Sequence, residues 1–292
     1  MPSISGKTTI IGVIGDPIAH TFSPAMHNAA IQALGIDWCY VAFHVLPDGV
    51  EHAISGMRGF NIRGLNVTVP HKQAVMPFLH EISPEALAVG AVNTIAHSEG
   101  KLLGYNTDVY GILAALRYGA GLDPLPVEVA ILGAGGAARG IVYAVASSEA
   151  TERVTILNRT VEKAERLAEE MSRIACRERA VEISGGPIER SHVRGALKDT
   201  DLVINATSVG MTPYADASVI EDASVFRPGQ TLLDTVYNPR ETQLMRIARS
   251  GGAQAFNGLD MLVYQGARSL EIWTGKAPPV DVMKHAIKGQ LK

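Results

Sequence analysis

Apolar residues along this chain fall into short continuous runs separated by stretches of helical spacing. That is the pattern of strands buried on both faces with helices packed over them. Residues 8–14 are β-branched and apolar and end at Gly15-Asp16-Pro17, which predicts a buried strand closed by a turn. Ser23-Pro24 supplies an N-cap with proline at the first helical position, opening a helix to about residue 34. Residues 38–45 and 64–69 read as further strands, with a helix over 50–57 between them. A short helix at 84–89 and an extended stretch at 91–96 follow. The connections look too long for hairpins and long enough for crossovers, so these strands are expected to run parallel.

A second unit starts near Asp123-Pro124-Leu125-Pro126, after a helix predicted over 110–118. A continuous apolar strand at 127–132 runs straight into Gly133-Ala-Gly135-Gly136-Ala-Ala138. Helices are predicted at 139–146, 162–171 and 243–248, and strands at 154–157, 202–205 and 231–235, with a short extended stretch at 253–256. Buried strands in β-α-β-α-β order predict a doubly wound parallel sheet of Rossmann type. Residues 259–273 have apolar positions at helical spacing and are expected to return to the first domain, with 286–291 as a last packing segment. The expected fold is therefore α/β with two domains, one of residues 1–112 completed by 259–292 and the other of residues 113–258.

Composition narrows the function classes. With 292 residues, 47% hydrophobic and 19% charged, this is an ordinary globular chain long enough for two domains. A net charge of -3 offers no basic footprint for nucleic acid and no polybasic membrane tether. The first apolar run, 10–14, is too short for a signal peptide or a membrane span. Cys39 and Cys176 each fall beside apolar sequence and read as buried thiols in a reducing compartment. The expectation is a cytoplasmic protein, monomeric or homodimeric, whose partner is a small molecule.

Two motifs carry candidate chemistry. In the Gly-x-Gly-x-x-Ala loop, Gly133 makes the tight turn, Gly135 allows a pyrophosphate to approach, and Ala138 supplies the small residue at the helix–sheet contact. A carboxylate for a ribose hydroxyl is missing from the end of the next strand. Asn158-Arg159-Thr160 and Lys163 stand there instead, surrounding the place of a 2′-phosphate, with Glu162 close by. NADP is the expected cofactor. The second motif, Asn66-Val-Thr-Val-Pro-His-Lys72, places an amide and a hydroxyl at a strand end and a lysine just beyond it. Thr21, Ser23, Asn66, Thr68, Asn93 and Asp108 form a set of polar groups at strand and helix ends, suited to a small polyhydroxylated ligand. His20, His27 and His71 show no metal-ligand spacing, and no metal is expected.

Taken together, these motifs resemble the shikimate dehydrogenase family. The resemblance is carried by Pro17-Ile-Ala-His-Thr-Phe-Ser-Pro24, Asn66 to Lys72, Gly90-Ala-Val-Asn93-Thr, Asn106-Thr-Asp108 and the glycine loop. It extends through Asn158-Arg-Thr160, Asn205-Ala-Thr-Ser, Asp234-Thr-Val-Tyr237 and Gly258-Leu-Asp-Met-Leu-Val-Tyr-Gln265. The resemblance implies reversible reduction of 3-dehydroshikimate to shikimate by NADPH. It implies Lys72 and Asp108 as the catalytic pair, and Thr21, Ser23, Asn66, Thr68, Asn93, Asp108, Tyr237 and Gln265 around the substrate. It implies Gly133, Ala134, Gly135, Gly136, Ala137, Asn158, Arg159, Thr160, Lys163, Thr235 and Gly258 around the cofactor. One position departs from the family's usual Ser-x-Ser: Thr21 keeps the first hydroxyl and adds a methyl. Some quinate-accepting relatives vary in this pair, so a dual quinate/shikimate enzyme is one alternative and a non-catalytic metabolite sensor another. Glutamyl-tRNA reductase shares the glycine loop, but its chemistry needs a nucleophilic cysteine, and Cys39 falls inside a predicted strand.

Overall fold

Strand β1 (Thr9–Gly15) is wholly buried from Ile11 to Gly15, as its β-branched run requires. It belongs to a computed structural model that describes residues 4–175 and 181–289; Cys176 and residues 290–291 of the expected last segment lie outside them. The chain divides into two units, one of Tyr110 and the residues before it with those from Val263 on, the other of Gly111–Leu262.

In the first unit β1 pairs in parallel with β2 (Trp38–His44) and with β3 (Gly64–Val67). Helices α1 (Ser23–Ala33) and α2 (Val50–Gly59) make the two crossovers. Beyond β3 the all-parallel expectation fails. After β4 (Glu81–Ile82) and α3 (Pro84–Val89), strand β5 (Thr94–Ser98) runs antiparallel to β3 and turns directly into β6 (Lys101–Tyr105). The turn is a two-residue hairpin at Glu99-Gly100, with φ of 52° and 75°. Positive φ at both central residues matches the right-handed twist of the flanking strands, and glycine makes it cheap. The six-stranded sheet has the order β2-β1-β3-β5-β6-β4 and is therefore mixed. The extended stretch expected at 91–96 becomes a strand only from Thr94, residues 91–93 belonging to no regular element although the backbone of Asn93 bonds Val67 and Tyr105 on its two sides. Ser23 is also not the N-cap of α1: Phe22 holds that place, and Ser23 is the first helical residue, with Pro24 beside it.

Helix α4 (Asp108–Ala114) continues as a π-helical turn, Ala115–Gly119, into the second unit. There β7 (Glu128–Leu132), α5 (Gly136–Ala146), β8 (Arg153–Asn158), α6 (Val161–Ala175) and β9 (Glu182–Pro187) form one winding. Helix α7 (Arg190–Leu197), β10 (Leu202–Asn205), β11 (Thr231–Asp234), α8 (Gln243–Ser250) and β12 (Gln254–Asn257) form the other. All pairs are parallel in the order β12-β11-β10-β7-β8-β9. Read from the β9 edge this is the 3-2-1-4-5-6 order of a Rossmann sheet, with its switch point between β7 and β10. The continuous apolar strands pack Leu132, Leu157, Val203 and Leu232 into one core with Leu197 and Leu244.

Helix α9 (Leu259–Thr274) ends in the first unit, and α10 (Val280–Lys288) follows it, starting six residues before the expected packing segment. Among the described residues no helix is long and apolar enough to cross a membrane. Trp273 closes α9 over β3 and β5: its indole Nε1 donates to Ile95 O at 3.0 Å, and the ring is 2% exposed. Gly64 makes room for it, since a Cβ there would stand 2.3 Å from Nε1. Gly64→Ala should therefore overpack this contact at a cost of about 1–3 kcal/mol. Both tryptophans, Trp38 and Trp273, lie in the first unit, so fluorescence-monitored denaturation reads it directly. An unchanged midpoint in the variant would show that α9 is not clamped at this point.

Candidate active site

Val92 N donates to Lys72 O at 2.8 Å, so the backbone of Lys72 is tied to the segment entering β5. Its ammonium reaches Asp108 at the start of α4, with Nζ 2.7 Å from Oδ2. Asn106 sets that helix start by accepting from Asp108 N at 3.1 Å through its own side chain. Both charged side chains are largely buried, at 24% and 18% exposure, where a pair is screened far less than on the open surface. The other Asp108 oxygen, Oδ1, accepts from Asn93 Nδ2 at 2.9 Å, so the carboxylate is held from two sides. Asn93 Nδ2 also lies 3.4 Å from Gln265 Oε1 on α9.

The first unit also holds most of the other polar residues singled out in the sequence. Asn66 on β3 is 7% exposed and Asn93 2% exposed. Thr21 Oγ1 donates to Ser23 Oγ at 3.2 Å, joining the two hydroxyls at the start of α1. Thr68 turns its methyl against Gly15, whose Cβ would stand 2.4 Å from it, and its hydroxyl has no partner among the described residues. His20 is exposed, His71 Nε2 lies 2.7 Å from Val45 O, and His27 is buried against Tyr40. Cys39 is buried in β2.

In the second unit the glycine loop follows β7 at the switch point. Gly133 has φ +107°, and a Cβ there would press on Thr207 Cγ2 at 2.8 Å. Ala134 is half-buried, whereas Gly135, Gly136 and Ala137 are exposed. A Cβ on Gly135 or Gly136 would meet nothing within 4 Å, so open space lies above the start of α5, which has no side-chain cap. Helix N–H groups facing such space fit a pyrophosphate. At the end of β8, Asn158 Nδ2 donates to Thr160 O at 2.9 Å and closes a turn that leaves Arg159, Thr160 and Lys163 exposed. Neither Arg159 nor Lys163 has an ion pair among the described residues. Gly258 lies against Thr235, where a Cβ would stand 2.1 Å from its carbonyl oxygen, and Gly258 N donates to Val236 O. Tyr237, half-buried, follows on the same segment.

Residues 13–95 match the shikimate dehydrogenase substrate binding domain, and residues 258–288 the shikimate 5′-dehydrogenase C-terminal domain. Residues 129–250 match the saccharopine dehydrogenase NADP binding domain. A shikimate dehydrogenase (NADP+) of Methanopyrus kandleri is 44% identical over 291 residues, 99% of this chain and 98% of that protein. The chain belongs to the shikimate dehydrogenase family. Solved structures agree. A shikimate dehydrogenase in complex with NADP+ is 41% identical with a TM-score of 0.91, over 99% of this chain and 98% of that one. The shikimate 5-dehydrogenase of Listeria monocytogenes, in complex with shikimate and NAD, is 36% identical with a TM-score of 0.90, over 98% and 99%.

Two polar residues in this member of the shikimate dehydrogenase family escape motif reading, Tyr40 and Ser269. With Thr94 and Thr107, which the motifs contain, they are buried and bonded to the asparagines of the site. A signal existed for one of them: Ser269 lies four residues after Gln265, on the same helical face.

Asp234 was legible only as part of a motif, yet it holds the Tyr237 segment. Its Oδ1 accepts from Val236 N at 3.0 Å and Asn205 Nδ2 at 2.9 Å, and its Oδ2 from Thr242 Oγ1 at 2.7 Å. Burial dominates these bonds and holds its carboxyl above the usual range. A carboxyl raised above its unfolded value of about 4 contributes stability that is present below that value and lost as pH rises through the folded one. Asp234→Asn removes this ionisation. Its melting temperature relative to the unsubstituted protein should therefore climb as pH rises from about 4 toward neutrality. Parallel melting curves across that range would contradict the burial argument.

Proposed function

We propose that this chain reduces 3-dehydroshikimate to shikimate with NADPH and catalyses the reverse oxidation, with Lys72 and Asp108 as the catalytic pair. The observation that carries this reading is the Lys72–Asp108 contact at 2.7 Å, with Asn93 on the second carboxylate oxygen. When bound, NADPH supplies the hydride. Negative charge developing on the ketone oxygen needs a proton and a nearby cation, and the Lys72 ammonium offers both. Asp108 orients that ammonium and accepts from a substrate hydroxyl. Thr21 and Ser23 bind the substrate carboxylate, while Asn66, Thr68, Asn93, Tyr237 and Gln265 pair with its remaining polar groups.

The second unit binds the cofactor. The N–H groups opening α5 at Gly136 and Ala137 take the pyrophosphate, and the backbone of Gly133, Ala134 and Gly135 lets it approach. Asn158 shapes the loop on which Arg159, Thr160 and Lys163 take the 2′-phosphate. Arginine suits that role because its planar fork pairs with phosphate oxygens two at a time. Gly258 and Thr235 complete the cofactor's surroundings.

Two substitutions test these assignments separately. Lys72→Ala should lower kcat by about 10²- to 10⁴-fold, the range for a positioned proton-transfer group, with a smaller change in KM for shikimate. Near-normal turnover would remove Lys72 from the chemistry. Arg159→Ala should raise KM for NADP about ten- to a hundredfold while leaving the NAD reaction nearly unchanged, since only the phosphate contact is lost. Equal losses with both cofactors would make the arginine structural.

A further inference from the structure

The Asn66 carboxamide is held in one orientation by four groups, two of which, Tyr40 and Ser269, lie outside every motif. Its Oδ1 accepts from the Tyr40 hydroxyl at 2.8 Å. Its Nδ2 donates to Ser269 Oγ at 2.9 Å, with Thr94 Oγ1 at 3.2 Å and Asn93 O at 3.3 Å. A backbone carbonyl only accepts, so the nitrogen must face Asn93, and the oxygen is left facing Tyr40. Oδ1 retains one further lone pair beyond the Tyr40 bond.

Tyr40 is anchored at every level. Asn28 on α1 bonds both its backbone groups, at 2.8 and 2.9 Å. Its ring stacks on His27 with centroids 4.2 Å apart and planes within 1°, and Trp273 tilts against it at 6.3 Å. His27 is an apolar wall in effect: burial pushes its pKa down to about 3, and among the described residues neither ring nitrogen has a partner. Ser23, at the start of α1, lies beside the same phenol. The Tyr40 hydroxyl thus stands between the hydroxyl pair at the start of α1 and Asn66.

Ser269, fully buried, is the second support. Its Oγ lies 2.7 Å from Thr94 Oγ1 and 3.2 Å from Thr107 Oγ1, and it donates back to Gln265 O at 3.0 Å. Thr107 in turn bonds Asn93, the residue that holds Asp108.

We infer that Tyr40 and Ser269 are positioning residues for the substrate, fixing the Asn66 carboxamide from opposite ends so that its free acceptor site is aimed before ligand arrives. This rests on the reading of Asn66 as a substrate contact. Losing one such bond lets the amide rotate and should lower kcat/KM for shikimate about 3- to 10-fold in either Tyr40→Phe or Ser269→Ala. The loss should appear in KM for shikimate, with KM for NADP unchanged.

The test is steady-state shikimate oxidation by the full chain with saturating NADP, for both single variants, the double variant and Asn66→Ala. Because both supports act through one amide, the double variant should lose less than the product of the single losses. Lowered melting temperatures with unchanged shikimate KM in Tyr40→Phe and Ser269→Ala would reduce both residues to scaffolding and overturn the inference. Multiplicative losses would overturn it too, since the residues would then act independently. An Asn66→Ala enzyme with normal shikimate KM would instead remove Asn66 from the substrate and take the inference with it. If one single variant does not fold, the other and its KM split decide alone.

Discussion

A buried carboxamide has two donors and an acceptor that water cannot reach, and the first unit is built around two of them. Leaving any such group unpaired costs about 1–3 kcal/mol, so the chain must deliver partners to Asn66 and Asn93 from distant segments. It does so with hydroxyls: Thr94 from β5, Thr107 from the turn into α4, Ser269 from α9 and Tyr40 from β2. Strand register follows from this. Asn66 pairs with Thr94 across β3 and β5, and a slip of one residue would turn Thr94 to the other face of the sheet. The antiparallel insertion that sequence periodicity did not foresee is thus the arrangement that lets the polar groups meet. Asp108 inherits its place from this network through Asn93.

The second unit sets a buried amide and a buried carboxyl at the carboxyl ends of two neighbouring strands. Asn205 and Asp234 are register partners on β10 and β11, and their side chains bond each other where the strands stop. Between them and β8 the glycine loop opens at the switch point, where neighbouring connections leave in opposite directions. Gly133 is required there by its positive φ and by Thr207, whereas Gly135 and Gly136 keep a face of α5 uncovered.

The two units treat charge differently. Lys72 and Asp108 are a largely buried pair within a network of bonds, so replacing either leaves a partner stranded. Arg159 and Lys163 stand in solvent with no ion pair among the described residues, and exchanging them costs the fold little. On the proposed assignments, reaction chemistry is therefore bound up with the stability of the first unit, while cofactor preference is set at the surface of the second.

What the sequence determined by itself was local. The run into Gly133, the small residue at Ala138, the turn at Asn158-Arg159-Thr160 and the strand before Lys72 each depend on residues within one turn or strand of one another. Most elements were legible for that reason. Strands β4 and β9 were not: β4 has only two residues, and β9 carries Gly185, Gly186 and Pro187, with a Cβ on Gly185 falling 2.4 Å from Ala164 on α6. The hairpin at Glu99-Gly100 was missed because its signal is a pair of backbone angles. That Tyr40 and Ser269 meet at Asn66 follows from packing alone. Ser269 lies 203 residues away along the chain, and its hydroxyl finds that amide because Trp273, seated over Gly64, docks α9 against the sheet. Such a contact depends on how helix and sheet pack, and residue spacing within either element carries no record of it.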